Sequence, residues 1–274
     1  QGQIMEFKNV FFFFYTTREK QPALERAALI AGETEISLQV YACIYSDISR
    51  SSEKPSAVRA QIEQQREVMQ SAVSELMGDR CDVSIEVEWD KDWCEAAVRA
   101  SIRGNADLVL KSSTPHTVNQ RVLNRTADWI LIRECLCPVM LVKQDSDSER
   151  RNVVAAIDIR ADSETYENLN QRIINFSRRL IDNVHADVHF INAHKDLSSY
   201  PDRNALIKSC GVASDKIHIQ MGEPEDVIVE NAKELNASLV IVGNAARSGL
   251  SALVNGNTVE KVVDRLECDV LSMP

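Results

Sequence analysis

The feature that most limits what this chain can fold into is an internal repeat. Ala106-Asp107-Leu108-Val109-Leu110 returns as Ala237-Ser238-Leu239-Val240-Ile241, and Cys137-Pro138-Val139-Met140-Leu141 returns as Cys268-Asp269-Val270-Leu271-Ser272. Both matches stand 131 residues apart, so no gap separates them. Near the start, Asn9-Val10-Phe11-Phe12-Phe13-Phe14 corresponds to Asn152-Val153-Val154-Ala155-Ala156-Ile157, and each opens its half with an apolar strand. The polar run Gln144 to Arg150 between the halves has no periodic apolar positions and reads as a linker. The expected division is therefore a first domain over 4–143, a linker over 144–151 and a second domain over 152–274. A chain of 274 residues accommodates two domains of ordinary size.

Within each half, short apolar runs alternate with amphipathic stretches, the pattern of parallel strands joined by crossover helices. In the first half the strands are expected near Val10 to Phe14, Leu38 to Tyr45, Val83 to Trp89, Leu108 to Leu110 and Val139 to Val142. The helices between them are Ala23 to Ala31, Ser56 to Met77, Cys94 to Ile102 and Thr126 to Glu134. The second half repeats the order, with strands at Val153 to Ile157, Val188 to Ala193, Ile217 to Met221, Leu239 to Val242 and Val270 to Met273. Its helices are Glu164 to Asp182, Arg203 to Cys210, Pro224 to Leu235 and Asn257 to Leu266. The fold class is α/β, two tandem doubly wound, parallel, five-stranded sheets of Rossmann-like type. The stretch between the second and third strands is much shorter in the second half, through either a trimmed helix or residues absent there. Four consecutive Phe residues fit a strand buried on both faces, and Trp89 and Trp93 fit packing at the end of the third strand, or its rim.

In such a sheet the ligand crevice lies outside the carboxyl ends of the strands, at the point where strand order reverses. There the second half reads Gly243-Asn244-Ala245-Ala246-Arg247-Ser248-Gly249, and later Gly256-Asn257-Thr258 opens a helix. A glycine at a strand end permits close backbone approach, and a glycine just before a helix lets free amides wrap an anion. Asn257 with Glu260 three residues on forms a capping box, so a capped loop without ligand explains the same residues.

From Met221 to Met273 the sequence resembles the universal stress protein family, whose nucleotide loop reads Gly-x2-Gly-x9-Gly-(Ser/Thr). Here it stands as Gly243-x2-Ala246-x9-Gly256-Asn257-Thr258: the spacing is kept, while Ala246 and Asn257 depart from the pattern. Val153 to Asp158 resembles the family's first strand, and Gln21-Pro22-Ala23-Leu24 and Asp107 to Lys111 extend the likeness over both halves, in the tandem two-domain type. The resemblance implies an adenine nucleotide alpha hydrolase-like fold. It also implies ATP or another adenine nucleotide in the second domain, with Asp158 at the base or sugar edge. Ala156, Ala193 and Val242 would line the rim, and Gly243, Ala246, Arg247, Gly256, Asn257 and Thr258 the phosphates. In the first half the same positions hold Tyr15, Ser112, Pro115, Arg125 and Thr126. Pro115 removes an amide donor, Arg125 replaces a glycine, and Asp128 adds negative charge to the first helical turn, so no nucleotide is expected there.

A net charge of -10 opposes nucleic-acid binding. The apolar runs are too short to cross a membrane, and the chain's start has no signal-peptide pattern, so a cytoplasmic location is expected. Gln1-Gly2-Gln3 reads as a cloning scar and is set aside. The seven scattered cysteines contain no C-x-x-C pair, which favours reduced structural thiols and no metal. No nucleophile with a base or Walker A signature stands at the crevice, so a non-catalytic protein is expected, with slow ATP hydrolysis left open. His194 follows the second strand and reads as an exposed loop residue more readily than as a functional one. A ligand-free scaffold or interaction module remains the alternative function. The apolar last strands, Val139 to Val142 and Val270 to Met273, are expected to pair the two domains within the chain. A homodimer is left open, and the protein partner is unknown.

Overall fold

The computed structural model describes residues 7–18, 20–46, 54–113, 127–143, 151–159, 164–244 and 258–274. Two compact units fall within Phe7–Gln144 and Asp145–Pro274. The expected linker over 144–151 lies, apart from Arg151, outside the described residues.

The first unit runs β1 (Asn9–Phe13), α1 (Pro22–Glu33), β2 (Ser37–Ile44), α2 (Lys54–Met77), β3 (Asp82–Trp89), α3 (Trp93–Arg103), β4 (Leu108–Ser113), α4 (127–134) and β5 (Val139–Lys143). Its strands pair in parallel in the order β3-β2-β1-β4-β5. The second unit runs β6 (Asn152–Ala156), α5 (Glu164–Val184), β7 (Asp187–His194), α6 (Arg203–Cys210), β8 (Ile217–Met221), α7 (Pro224–Glu234), β9 (Leu239–Gly243), α8 (Thr258–Arg265) and β10 (Asp269–Met273). Its order, β10-β9-β6-β7-β8, is that of the first unit.

Strand register carries the repeat into three dimensions. Val10 faces Leu108 in the first unit and Val153 faces Leu239 in the second; Ser112 faces Val142 and Gly243 faces Met273. Asn105 and Asn236, 131 residues apart, both take φ 49 between a helix and the next strand, a left-handed turn that Asn tolerates better than most residues. Alignment of β2 with β7 and of β3 with β8 puts the length difference wholly in the intervening crossover. There the 24-residue α2 is answered by the 8-residue α6, flanked by two 3-10 turns, Leu197–Ser199 and Ser214–Lys216.

Local chemistry sets the helix ends. Asp92 caps α3 by accepting from the Glu95 amide, and Asp202 caps α6 by accepting from Asn204 and Ala205. Gly211 ends α6 with φ 68, which only glycine adopts without strain. Pro22 and Pro224 occupy first turns, where the missing N–H costs nothing. Phe11, Phe12, Phe13 and Phe14 are all buried, as expected of a strand covered on both faces. All seven cysteines are free thiols, and among the described residues no group of three His, Cys, Asp or Glu could hold a metal ion. Among those residues no helix is long and apolar enough to cross a membrane.

Candidate functional site

In the second unit, β6 and β9 are neighbours in register, with Ala155 opposite Ile241. β6 connects through α5 to β7 on its other side, so strand order reverses between β6 and β9 and the crevice falls there. Ala156 and Asp158 stand on one side of that crevice, Val242 and Gly243 on the other, and Thr258 opens α8. Ala193 lies one strand away, on β7 opposite Gln220. Ala246, Arg247, Gly256 and Asn257 lie outside the described residues, as do Pro115, Arg125 and Thr126 of the first unit.

Asp158 is held by its backbone. Its N–H donates to Asn170 Oδ1 at 3.0 Å, and Asn170 Nδ2 donates back to its carbonyl at 2.6 Å. One residue earlier, Ile157 donates to the Ile191 carbonyl, and Asn192 Nδ2 donates to the Ile157 carbonyl at 3.0 Å. Asn170 on α5 and buried Asn192 on β7 therefore fix where the carboxylate emerges. Sequence reasoning missed both. The available signal was an asparagine on the helix stripe that carries Leu169, Ile173 and Ile174, where an apolar residue is the rule.

Gly243 has a packing reason. A Cβ built on it would sit 2.5 Å from Leu169 Cδ2 and 2.8 Å from Leu169 Cγ. The missing side chain thus faces α5, and Leu169 fills that space. The strand pairing continues past it, since Asn244, itself buried, donates to the Met273 carbonyl at 2.7 Å.

His194 corrects the expectation of an exposed loop residue. It is the last residue of β7, buried, with Nδ1 2.9 Å from the Asp196 carbonyl and its ring edge-on to Tyr200. An imidazole pair lies near the amino ends of β7 and β8: His189 Nδ1 is 2.9 Å from His218 Nε2, and Lys216 bonds Asp187 at 2.7 Å. Burial, followed by the nearby His189, pushes the His218 pKa down.

The rim of the first unit is built differently. Tyr15, in the position of Asp158, has the Arg18 guanidinium 4.4 Å and the Lys111 ammonium 5.0 Å from its ring centroid. Its ring also packs on Phe13 and Trp93. Gln21 holds the turn, donating to the Tyr15 and Arg18 carbonyls and accepting from the Tyr15 amide. Ser112, the counterpart of Gly243, accepts from the Ala23 amide at the start of α1 at 3.1 Å. Lys111, 1% exposed, forms an ion pair with Asp128, 4% exposed, which also accepts from Ser113 Oγ at 3.3 Å. Burial, the largest influence, pushes Lys111 down; the Asp128 carboxylate and Tyr15 together outweigh it and hold the lysine above its ordinary range. Cys94 beside the pair is pushed up to about 12 by burial, an unreactive thiol at neutral pH.

These two units, parallel α/β sheets whose strand order reverses beside the first strand, are doubly wound domains of Rossmann-like type. The universal stress protein family model matches residues 149–274, which span the second unit. It is 28% identical to Universal stress protein E homolog of Haemophilus influenzae, over 98% of this chain and 98% of that protein. To Universal stress protein E of Escherichia coli K12 it is 28% identical, over 97% of this chain and 93% of the relative. Among solved structures, a universal stress protein from Archaeoglobus fulgidus superposes with a TM-score of 0.72 at 15% identity, covering 98% of this chain and 97% of its own. A putative universal stress protein from Pseudomonas aeruginosa gives 0.74 at 22%, covering 99% and 95%. At those identities the structures show the fold alone.

Proposed function

We propose that this chain is a non-catalytic stress-response protein whose second unit holds an adenine nucleotide, ATP in the first instance, and whose first unit does not. The observation that carries this reading is the crevice between β6 and β9, where Asp158 is backbone-clamped at one strand end and Gly243 closes the other, with α8 opening at Thr258. Asp158 takes the sugar or base edge, and the amides at the start of α8 face the phosphates with a favourable dipole. Occupancy then shifts the preference of the protein for its partners.

A ligand-free scaffold is the second reading, favoured by one observation: Leu169 already occupies the space that the absent side chain of Gly243 leaves. Titration calorimetry of the full chain with ATP separates the two. Binding by the wild type that Gly256→Asp abolishes supports the nucleotide site, because that substitution adds a side chain and a negative charge at the phosphates. Undetectable binding, unchanged in Ala246→Gly, which restores the family loop, supports the scaffold. Mass spectrometry of small molecules released from freshly purified, denatured protein gives an independent answer.

A further inference from the structure

The buried ion pair of the first unit has no counterpart in the second. By the constant offset, Lys111 corresponds to Val242 and Asp128 to Val259, and both valines are buried. The fold therefore accepts an apolar pair at these positions and does not itself demand charge. In the first unit the ammonium is fully engaged all the same. It meets the Asp128 carboxylate, lies 3.4 Å from the Ser112 carbonyl and faces the Tyr15 ring, while Ser113 Oγ serves the second carboxylate oxygen. A lysine this deep is tolerated only with a matched anion. The cation, hydroxyl and aromatic wall are those of a small oxyanion site, and the side chain that fills it is part of the chain.

We propose that the rim of the first unit is an anion site permanently occupied from within, with the Asp128 carboxylate as the bound anion on Lys111, and that the ligand it mimics is a small carboxylate. The first unit then stays in one closed state whatever the anion content of the solution, which confines ligand response to the second. This holds whether or not the second unit binds nucleotide.

Asp128→Ala cuts away the carboxylate and leaves a space of its size beside Lys111, which formate matches. The three tryptophans, Trp89, Trp93 and Trp129, all belong to the first unit, so their fluorescence follows its thermal unfolding separately. Asp128→Ala should melt well below wild type in chloride buffer. Formate at constant ionic strength should recover much of the loss in a saturable way, and leave wild type unmoved. Lys111→Met/Asp128→Ala, lacking the cation, should not respond to formate; nor should Asp128→Asn, whose amide still fills the space. If Asp128→Ala does not fold in chloride, it must fold when formate is present. The proposal is overturned if formate leaves Asp128→Ala unchanged, or if it stabilises the variant without Lys111 equally.

Discussion

The two units solve one structural problem with opposite chemistries. Where β4 and β9 end beside the helix that follows, the first unit buries Lys111 against Asp128, and the second buries Val242 and Val259. At the adjoining position the first unit has Ser112 bonded to the start of α1, while the second has Gly243, with Leu169 of α5 in the vacant space. At the end of the first strand, Tyr15 is walled in by Phe13, Trp93 and two cations, whereas Asp158 is held through its backbone by Asn170. The same strand order and register thus carry a rim filled by its own side chains in one unit and a rim bearing a positioned carboxylate in the other. Fold and site are separable layers of the sequence here.

The sharpest way to break this comparison is to unpair the buried charges. Lys111→Met alone leaves the Asp128 carboxylate without a cation and should cost the first unit about 3–5 kcal/mol, read from denaturant unfolding followed by tryptophan fluorescence. Lys111→Met/Asp128→Val approximates the apolar pair of the second unit and should recover most of that loss. A double variant as unstable as the single would show that the charges are needed for more than each other.

The glycine position comes next. Gly243→Ala drives a methyl group into Leu169 and should cost ~1–3 kcal/mol through overpacking, with the loss relieved in Gly243→Ala/Leu169→Ala. The reciprocal change, Ser112→Gly, removes the acceptor of the Ala23 amide and should cost only about 1 kcal/mol. Circular dichroism reports the first pair and tryptophan fluorescence the second. If Gly243→Ala is neutral for stability yet abolishes ATP binding, the glycine serves the ligand and not the packing.

How far the molecule was legible from sequence follows from which contacts are periodic. The strands, the helices and the repeat were visible because burial on both faces and helical spacing repeat at fixed intervals, and the 131-residue offset survives as matched register, Ser112 with Val142 and Gly243 with Met273. The rim was legible only in part. Asp158 was named through the family resemblance and Gly243 through its place at a strand end, but Asn170 reaches Asp158 across 12 positions and Leu169 meets Gly243 from another element. The asparagine on the apolar stripe of α5 is a local trace of the first relation but does not name its partner, and the second relation leaves none. Lys111 lies just past the strand expected at Leu108 to Leu110; the fold carries β4 on to Ser113 and turns Lys111 inward toward Asp128. His194 was misplaced for the converse reason, since a polar residue after an apolar run suggests a loop, while here the ladder of β7 extends through it.

A smaller effect tests the clamp. Asn170→Ala removes both bonds to the Asp158 backbone and should destabilise the second unit by ~1–2 kcal/mol, leaving tryptophan-detected unfolding of the first unchanged. If nucleotide binds at Asp158, affinity should fall by more than stability explains, because the carboxylate loses its fixed position.

The smallest expected effect concerns pH and a third matched pair of positions. On β7 and β8 the side chains of His189 and His218 meet; the register places Gln39 and Glu86 at the same two positions of β2 and β3, where Gln39 Nε2 donates to Glu86 at 2.9 Å. The imidazoles share one hydrogen bond while at least one ring is neutral. Protonating both sets two positive rings face to face beside Lys216 and Arg203, against Asp187 and Asp215. Burial and these cations depress the folded pKa of His218 below its unfolded value, so the unfolded chain takes up the proton first as pH falls. Stability from this group is therefore complete above pH ~6.5 and is lost as the pH drops through the folded value. The second unit should consequently lose stability as the pH falls below ~6.5, and His218→Gln should flatten that slope by removing the group whose folded pKa is depressed. Circular dichroism melts of wild type and variant across this range, set beside the tryptophan signal as an internal reference for the first unit, measure the difference. An unchanged slope in His218→Gln would mean that the pair titrates alike in the folded and unfolded chain, and that its hydrogen bond contributes nothing to the pH response.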